Sequence, residues 1–183
     1  MASSPDVAAA LSAVNAHDMP VHVQMRLAAL SGDETITYLD AHQSSTIGGS
    51  RTTSGEVVAF TPRLVLQAVF QNSQARLDNP DANSHEATVR VKCWSRRALT
   101  TLSIDPDVAG HRNTDAEWDD ENGRWPARSR LTLTYTGQPV MTLPLSEHRN
   151  SKPETWAALP ELVKSLHDDL ATDTGYGVGS EVL

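Results

Sequence analysis

A chain of 183 residues with one cysteine and a formal charge of −8 can bury an apolar core without a metal or disulfide, and Cys93 has no partner for an internal bridge. The N-terminus shows no positive start followed by an apolar run, and no stretch approaches the ~20 apolar residues of a membrane span, so a cytoplasmic protein is expected. The charge is concentrated: seven carboxylates fall between Asp105 and Glu121 against the single base Arg112, which disfavours nucleic acid and anionic membrane as partners.

In chain order, Ser4-Pro5-Asp6 is a helix start, with a hydroxyl cap and a proline at the first helical position. Val7, Leu11 and Val14 follow at helical spacing. A second start lies at Asp18, after which Val23, Leu27 and Leu30 share one face and Gly32 ends the helix; Val21, Val23, Met25 and Leu27 also alternate, so a strand stays open there. Residues 35–41 read as a strand and the Ser/Thr/Gly-rich residues 44–55 as a loop. Strands follow over 56–60 and 63–71, punctuated by Pro62, and residues 72–86 read as loop. Residues 87–94 alternate, with Val89, Val91 and Cys93 on one face and Thr88, Arg90, Lys92 and Trp94 on the other, which predicts a sheet with one buried face. After a break at Ser95-Arg96-Arg97, residues 98–104 form another strand, the acidic loop runs from Asp105 to Arg128, and strands over 130–136 and 140–145 flank a turn at Gly137. Trp156, Leu159, Val163, Leu166 and Leu170 make the seam of a last helix over 153–171, its regular part starting near Leu159 because Pro160 belongs early in a helix. Residues 172–183 are a tail without an apolar face.

Helices, then about seven strands, then a helix predict an α+β fold on an antiparallel sheet. The strand Glu56-Val57-Val58-Ala59-Phe60-Thr61-Pro62-Arg63-Leu64-Val65-Leu66, the strand ending in Cys93-Trp94 with its turn at Ser95, the hairpin from Leu131 to Leu145 around Thr136-Gly137-Gln138, and the closing helix together resemble a bacterial pleckstrin-homology-like domain. The resemblance covers about residues 32–171. It implies one strongly bent antiparallel sheet, or partly open β-barrel, of seven strands, capped by the C-terminal helix. The helices expected in residues 1–31 and the flexible tail expected at 172–183 lie outside the resemblance. Lipid-binding members carry several bases in the loop joining the first two strands. Here that loop is 43–55 and Arg51 is its only base, so lipid binding is not carried over.

No catalytic set assembles in the sequence. His17, His22, His42, His85, His111, His148 and His167 lack helical zinc spacing, and Asp105-Pro106-Asp107 opens like a calcium loop but places Ala109 and Ala116 where ligands belong. No metal or cofactor is expected. Cys93 is expected buried and inert. Arg90, Lys92, Arg96 and Arg97 read as a solvated basic cluster facing the acidic loop. Trp118 and Trp125 bracket an Asn-Gly hairpin signal; either they cover an open end of the barrel, or with Asp115, Glu117, Asp119 and Asp120 they form the candidate surface for a cationic protein partner. The expected function is a non-catalytic interaction module. The alternatives are an enzyme or small-ligand carrier with histidine and carboxylate in a pocket inside the bent sheet, and a symmetric homo-oligomer paired through an edge strand at 64–70.

Overall fold

The computed structural model of the chain describes residues 19–47, 51–74, 88–106, 129–146 and 153–173. Their order is α1 (Val21–Ser31), β1 (Tyr38–Ile47), β2 (Arg51–Phe60), β3 (Leu64–Gln74), β4 (Thr88–Ser95), a 3-10 turn (Arg96–Ala98), β5 (Leu99–Pro106), β6 (Ser129–Tyr135), β7 (Met141–Leu143) and α2 (Pro153–Asp173). The fold is α+β, and every strand pairing is antiparallel. The seven strands do not form one bent sheet or barrel, as expected from the sequence. They split into a four-stranded sheet, β1-β2-β3-β4, and a three-stranded sheet, β5-β6-β7. The chain leaves the first sheet at the 3-10 turn, where the Ser95 hydroxyl accepts from Arg97 N–H. No helix among the described residues is long and apolar enough to cross a membrane.

The four-stranded sheet is covered on both faces. Its outer face packs Leu39, Val57, Ala59, Leu66, Ala68 and Phe70 against Met19, Val23 and Leu27 of α1 and the residue leading into it. Its inner face sends Tyr38, Val58, Phe60 and Val65 into a second core with Leu131, Leu133, Tyr135 and Leu143 of the other sheet and Leu159, Leu162 and Leu166 of α2. Double coverage explains why Val57-Val58-Ala59-Phe60 is a continuous apolar run rather than an alternation. β6, covered on one side, alternates buried and half-buried residues along its whole length.

Several expected boundaries move. The first helix expected at 4–14 lies outside the described residues; the second is α1, closed by Gly32 at a φ of 61°. The expected loop over 44–55 is mostly strand, because β1 runs on to Ile47 and β2 begins at Arg51. Thr46, Ile47, Thr52 and Thr53 are β-branched, and that preference prevails over the polarity that suggested a loop. Strand β3 is central, not the edge strand proposed for pairing between chains; the edges of its sheet are β1 and β4. α2 is continuous from Pro153 with Pro160 inside it, rather than starting at Leu159. An interior proline costs ~3 kcal/mol. Each fully buried leucine returns ~1.5–3 kcal/mol, so Leu159, Leu162 and Leu166, all buried, outweigh it.

Candidate binding groove

Strand register sets the chemistry of the inner face of the four-stranded sheet row by row. One row is Tyr38, Phe60, Val65 and Trp94; the next is Asp40, Val58, Gln67 and Lys92; the next is His42, Glu56, Val69 and Arg90. The first row lies beneath the second sheet and α2 and is apolar. Away from that cover the rows turn polar, as a face open to water must.

On the β1 side this polar half is occupied by the chain that follows β7. The Asp40 carboxylate accepts from Leu145 N–H at 2.5 Å, His42 Nδ1 lies 2.7 Å from Ser146 Oγ, and Arg130 donates to Pro144 O at 2.6 Å. Burial pushes the Asp40 carboxyl above its ordinary range, against the opposing effect of the Leu145 hydrogen bond. The His42–Ser146 pair has the spacing of a base and a nucleophile. Ser146 is, however, only 7% exposed, and the adjacent carboxylate is engaged by the Leu145 backbone, so the group fastens the 144–146 segment to β1.

On the β4 side no described strand or helix covers the face. A groove of about 460 Å³ is lined by Gln67, Val69 and Gln71 of β3, by Thr88, Val89, Arg90 and Lys92 of β4, and by Pro139 from the turn before β7. Its apolar floor, Val69, is 39% exposed. Gln67 is oriented by donating to Glu56 Oε1 at 2.7 Å. Arg90 and Lys92 are exposed, and neither forms an ion pair among the described residues. Among the described residues the lining contains two cations, two primary amides and a hydroxyl, but no carboxylate or histidine. Such a set can orient and neutralise an anionic group.

The expected basic cluster therefore divides. Arg90 and Lys92 border the groove and Arg97 is exposed. Arg96 is not solvated: it is 3% exposed and donates to Asp169 Oδ2 at 2.8 Å, Thr61 O at 3.0 Å and Ser165 Oγ at 3.0 Å. The chain turns at Arg96, which carries its side chain off the β4 row and under α2. Cys93, expected buried with Val89 and Val91, is exposed. It is paired with Leu66 toward the end of β4, whereas the half-buried valines that pack on the outer core are Val89 and Val91.

Trp118, Trp125, Asp115, Glu117, Asp119 and Asp120, the expected partner surface, lie outside the described residues. Asp105, the first carboxylate of that segment, is the next-to-last residue of β5 and accepts from Ser103 Oγ at 2.8 Å. Of the histidines, only His22, His42 and His167 are described, and no group of three or more metal-ligating side chains gathers among the described residues. Gln67 and Gln71 are not among the residues the sequence singles out as candidates. The signal was present: Gln67, Val69 and Gln71 alternate with Leu66, Ala68 and Phe70, which marks one wet face.

No family model matches the chain, and comparison with curated proteins and with solved structures finds no match.

Proposed function

We propose that this chain is a non-catalytic interaction module with a pleckstrin-homology-like core, and that it binds its partner at the groove over β3 and β4. The observation that carries the reading is the groove itself: an exposed apolar floor between a basic strand and a turn, with Arg90 and Lys92 in no ion pair among the described residues. Four strands, then three, then a terminal helix is an order consistent with the sequence resemblance. The space between the sheets is filled by apolar side chains, which leaves the outside of the module for recognition. Acid–base chemistry would call for a histidine or carboxylate in the lining. Two cations are also few for a phosphate backbone or an anionic bilayer, given the acidic balance of the chain. The carboxylates and tryptophans at 105–128 belong to the same reading as a second surface, of opposite charge.

A photo-reactive side chain at Gln71 tests this, with the same group at Met25 on the exposed face of α1 as the comparison. Irradiation in an extract of the native cell is expected to give a discrete protein adduct from position 71 alone. Equal yields from both positions, or none from position 71, would remove the groove as the binding surface.

A further inference from the structure

Strand β4 is the last strand of its sheet, and among the described residues no strand pairs with its outer side. The pairing with β3 fixes which of its backbone groups face outward. Arg96 N–H donates to Arg63 O at 2.9 Å, and the register continues without a shift from that pair to Gln71 and Thr88. In an antiparallel ladder, hydrogen-bonded and non-hydrogen-bonded pairs alternate. Thr88, Arg90, Lys92 and Trp94 therefore turn their N–H and C=O groups toward β3. Val89, Val91 and Cys93 turn theirs away, toward the open edge.

We propose that this edge receives an extended peptide strand in which acidic and apolar residues alternate. The proposal rests on the groove being the interaction surface and names its occupant. An antiparallel strand added to β4 would bond to the outward groups of Val89, Val91 and Cys93. Its residues opposite Arg90 and Lys92 would then fall at the non-hydrogen-bonded positions, where the Cα atoms lie ~4.5 Å apart and side chains are closest. Those residues project onto the inner face, the face of the groove, where Arg90 and Lys92, in no ion pair among the described residues, stand two residues apart. Carboxylates at alternate positions of an extended strand have the same repeat, ~6.6–6.8 Å. The intervening residues of the added strand project onto the other face, beside Val89 and Val91. There they extend the apolar core beneath α1. Acidic on one face and apolar on the other is thus the pattern that complements β4 on both sides, and like charges opposite Arg90 and Lys92 are rejected.

The test is titration of the full chain by calorimetry with a synthetic ten-residue peptide alternating Glu and Val. The same peptide with Gln for Glu and with Lys for Glu serve as comparisons. The Glu peptide is expected to bind, to weaken as salt rises, and to lose about tenfold or more in affinity against R90E/K92E, since close cross-strand charges then repel. Arg97→Glu, which reverses an exposed cation away from the groove, should leave affinity unchanged. Cys93→Pro separates strand addition from charge alone: it removes one outward N–H and an exposed side chain, and proline is tolerated at a sheet edge. It is expected to weaken the Glu peptide while the melting temperature holds. Equal binding of the Gln peptide, or full affinity in R90E/K92E, would overturn the proposal. So would capture by vesicles of anionic lipid in place of the peptide, or self-association of the chain that R90E abolishes. A partner cross-linked at position 71 that carries no acidic strand would overturn this inference while leaving the groove as the interaction surface.

Discussion

Arg96 and Asp169 join the two sheets to the terminal helix through one carboxylate oxygen, with Nε and Nη2 of the guanidinium each 2.8 Å from Oδ2. The same guanidinium holds Thr61 O in the β2–β3 turn and Ser165 Oγ on α2. A buried arginine whose counterion is removed keeps its desolvation cost and loses the attraction that offset it. Asp169→Ala is therefore expected to lower unfolding free energy by about 3 kcal/mol or more, read by urea denaturation. Arg96→Met, which removes the charge and keeps much of the volume, is expected to cost less. A loss below ~1 kcal/mol for Asp169→Ala, the range of exposed pairs, would show that the contact is a surface pair.

Gly55 sits where β2 shifts register against β3, between Thr53 and Gly55. A Cβ there would lie 2.5 Å from His42 O and 3.0 Å from Gln43 Cα, both backbone atoms of β1. Neither can move without breaking the β1–β2 ladder. Gly55→Ala is expected to destabilise by about 1–3 kcal/mol, the usual cost of overpacking, measured by thermal unfolding. An unchanged melting temperature would contradict the close approach.

Pro160 interrupts the α2 hydrogen-bond ladder, and the packed leucines hold the helix across the gap. Pro160→Ala restores an N–H for the carbonyl of Trp156 and removes the ring clash. An increase in stability of about 1–3 kcal/mol is expected. A decrease would mean that the ring itself is packed in a way alanine cannot replace.

Asp40 gives a pH signature with a defined sign. Its carboxyl is raised above the ordinary value of 3.8, chiefly by burial. The folded state then binds its proton more tightly than the unfolded state does, so the contribution of Asp40 to stability falls as pH rises through the folded value. The difference in unfolding free energy between the native protein and Asp40→Asn is expected to shift against the native protein as pH rises above 3.8 toward neutrality. A shift in the opposite direction would show that the Leu145 and Arg130 contacts outweigh burial.

The α+β class, the seven antiparallel strands and the terminal helix were legible because period-2 and period-3.6 patterns survive in β4, β6 and α2. The division into two sheets was not. It depends on Arg96 leaving the β4 row to be buried under α2, a long-range contact with Asp169 that no local pattern encodes. The extension of β1 and β2 past the core was hidden by serines and threonines that read as loop. Of the groove, Arg90 and Lys92 were read correctly as solvated. Their isolation from Arg96, the exposure of Cys93 and the wet face of β3 all followed from register rather than from residue type.

Amide hydrogen exchange along β4, with and without the alternating Glu peptide, tests the claim that its open edge is the binding surface. In the free protein, Arg90 and Lys92 N–H bond to β3 and are expected to exchange slowly, while Val89, Val91 and Cys93 N–H exchange fast. Binding is expected to slow those three and leave the even-numbered positions as they were. Protection of Val89, Val91 and Cys93 in the free protein, or a bound complex in which they still exchange fast, would contradict the account.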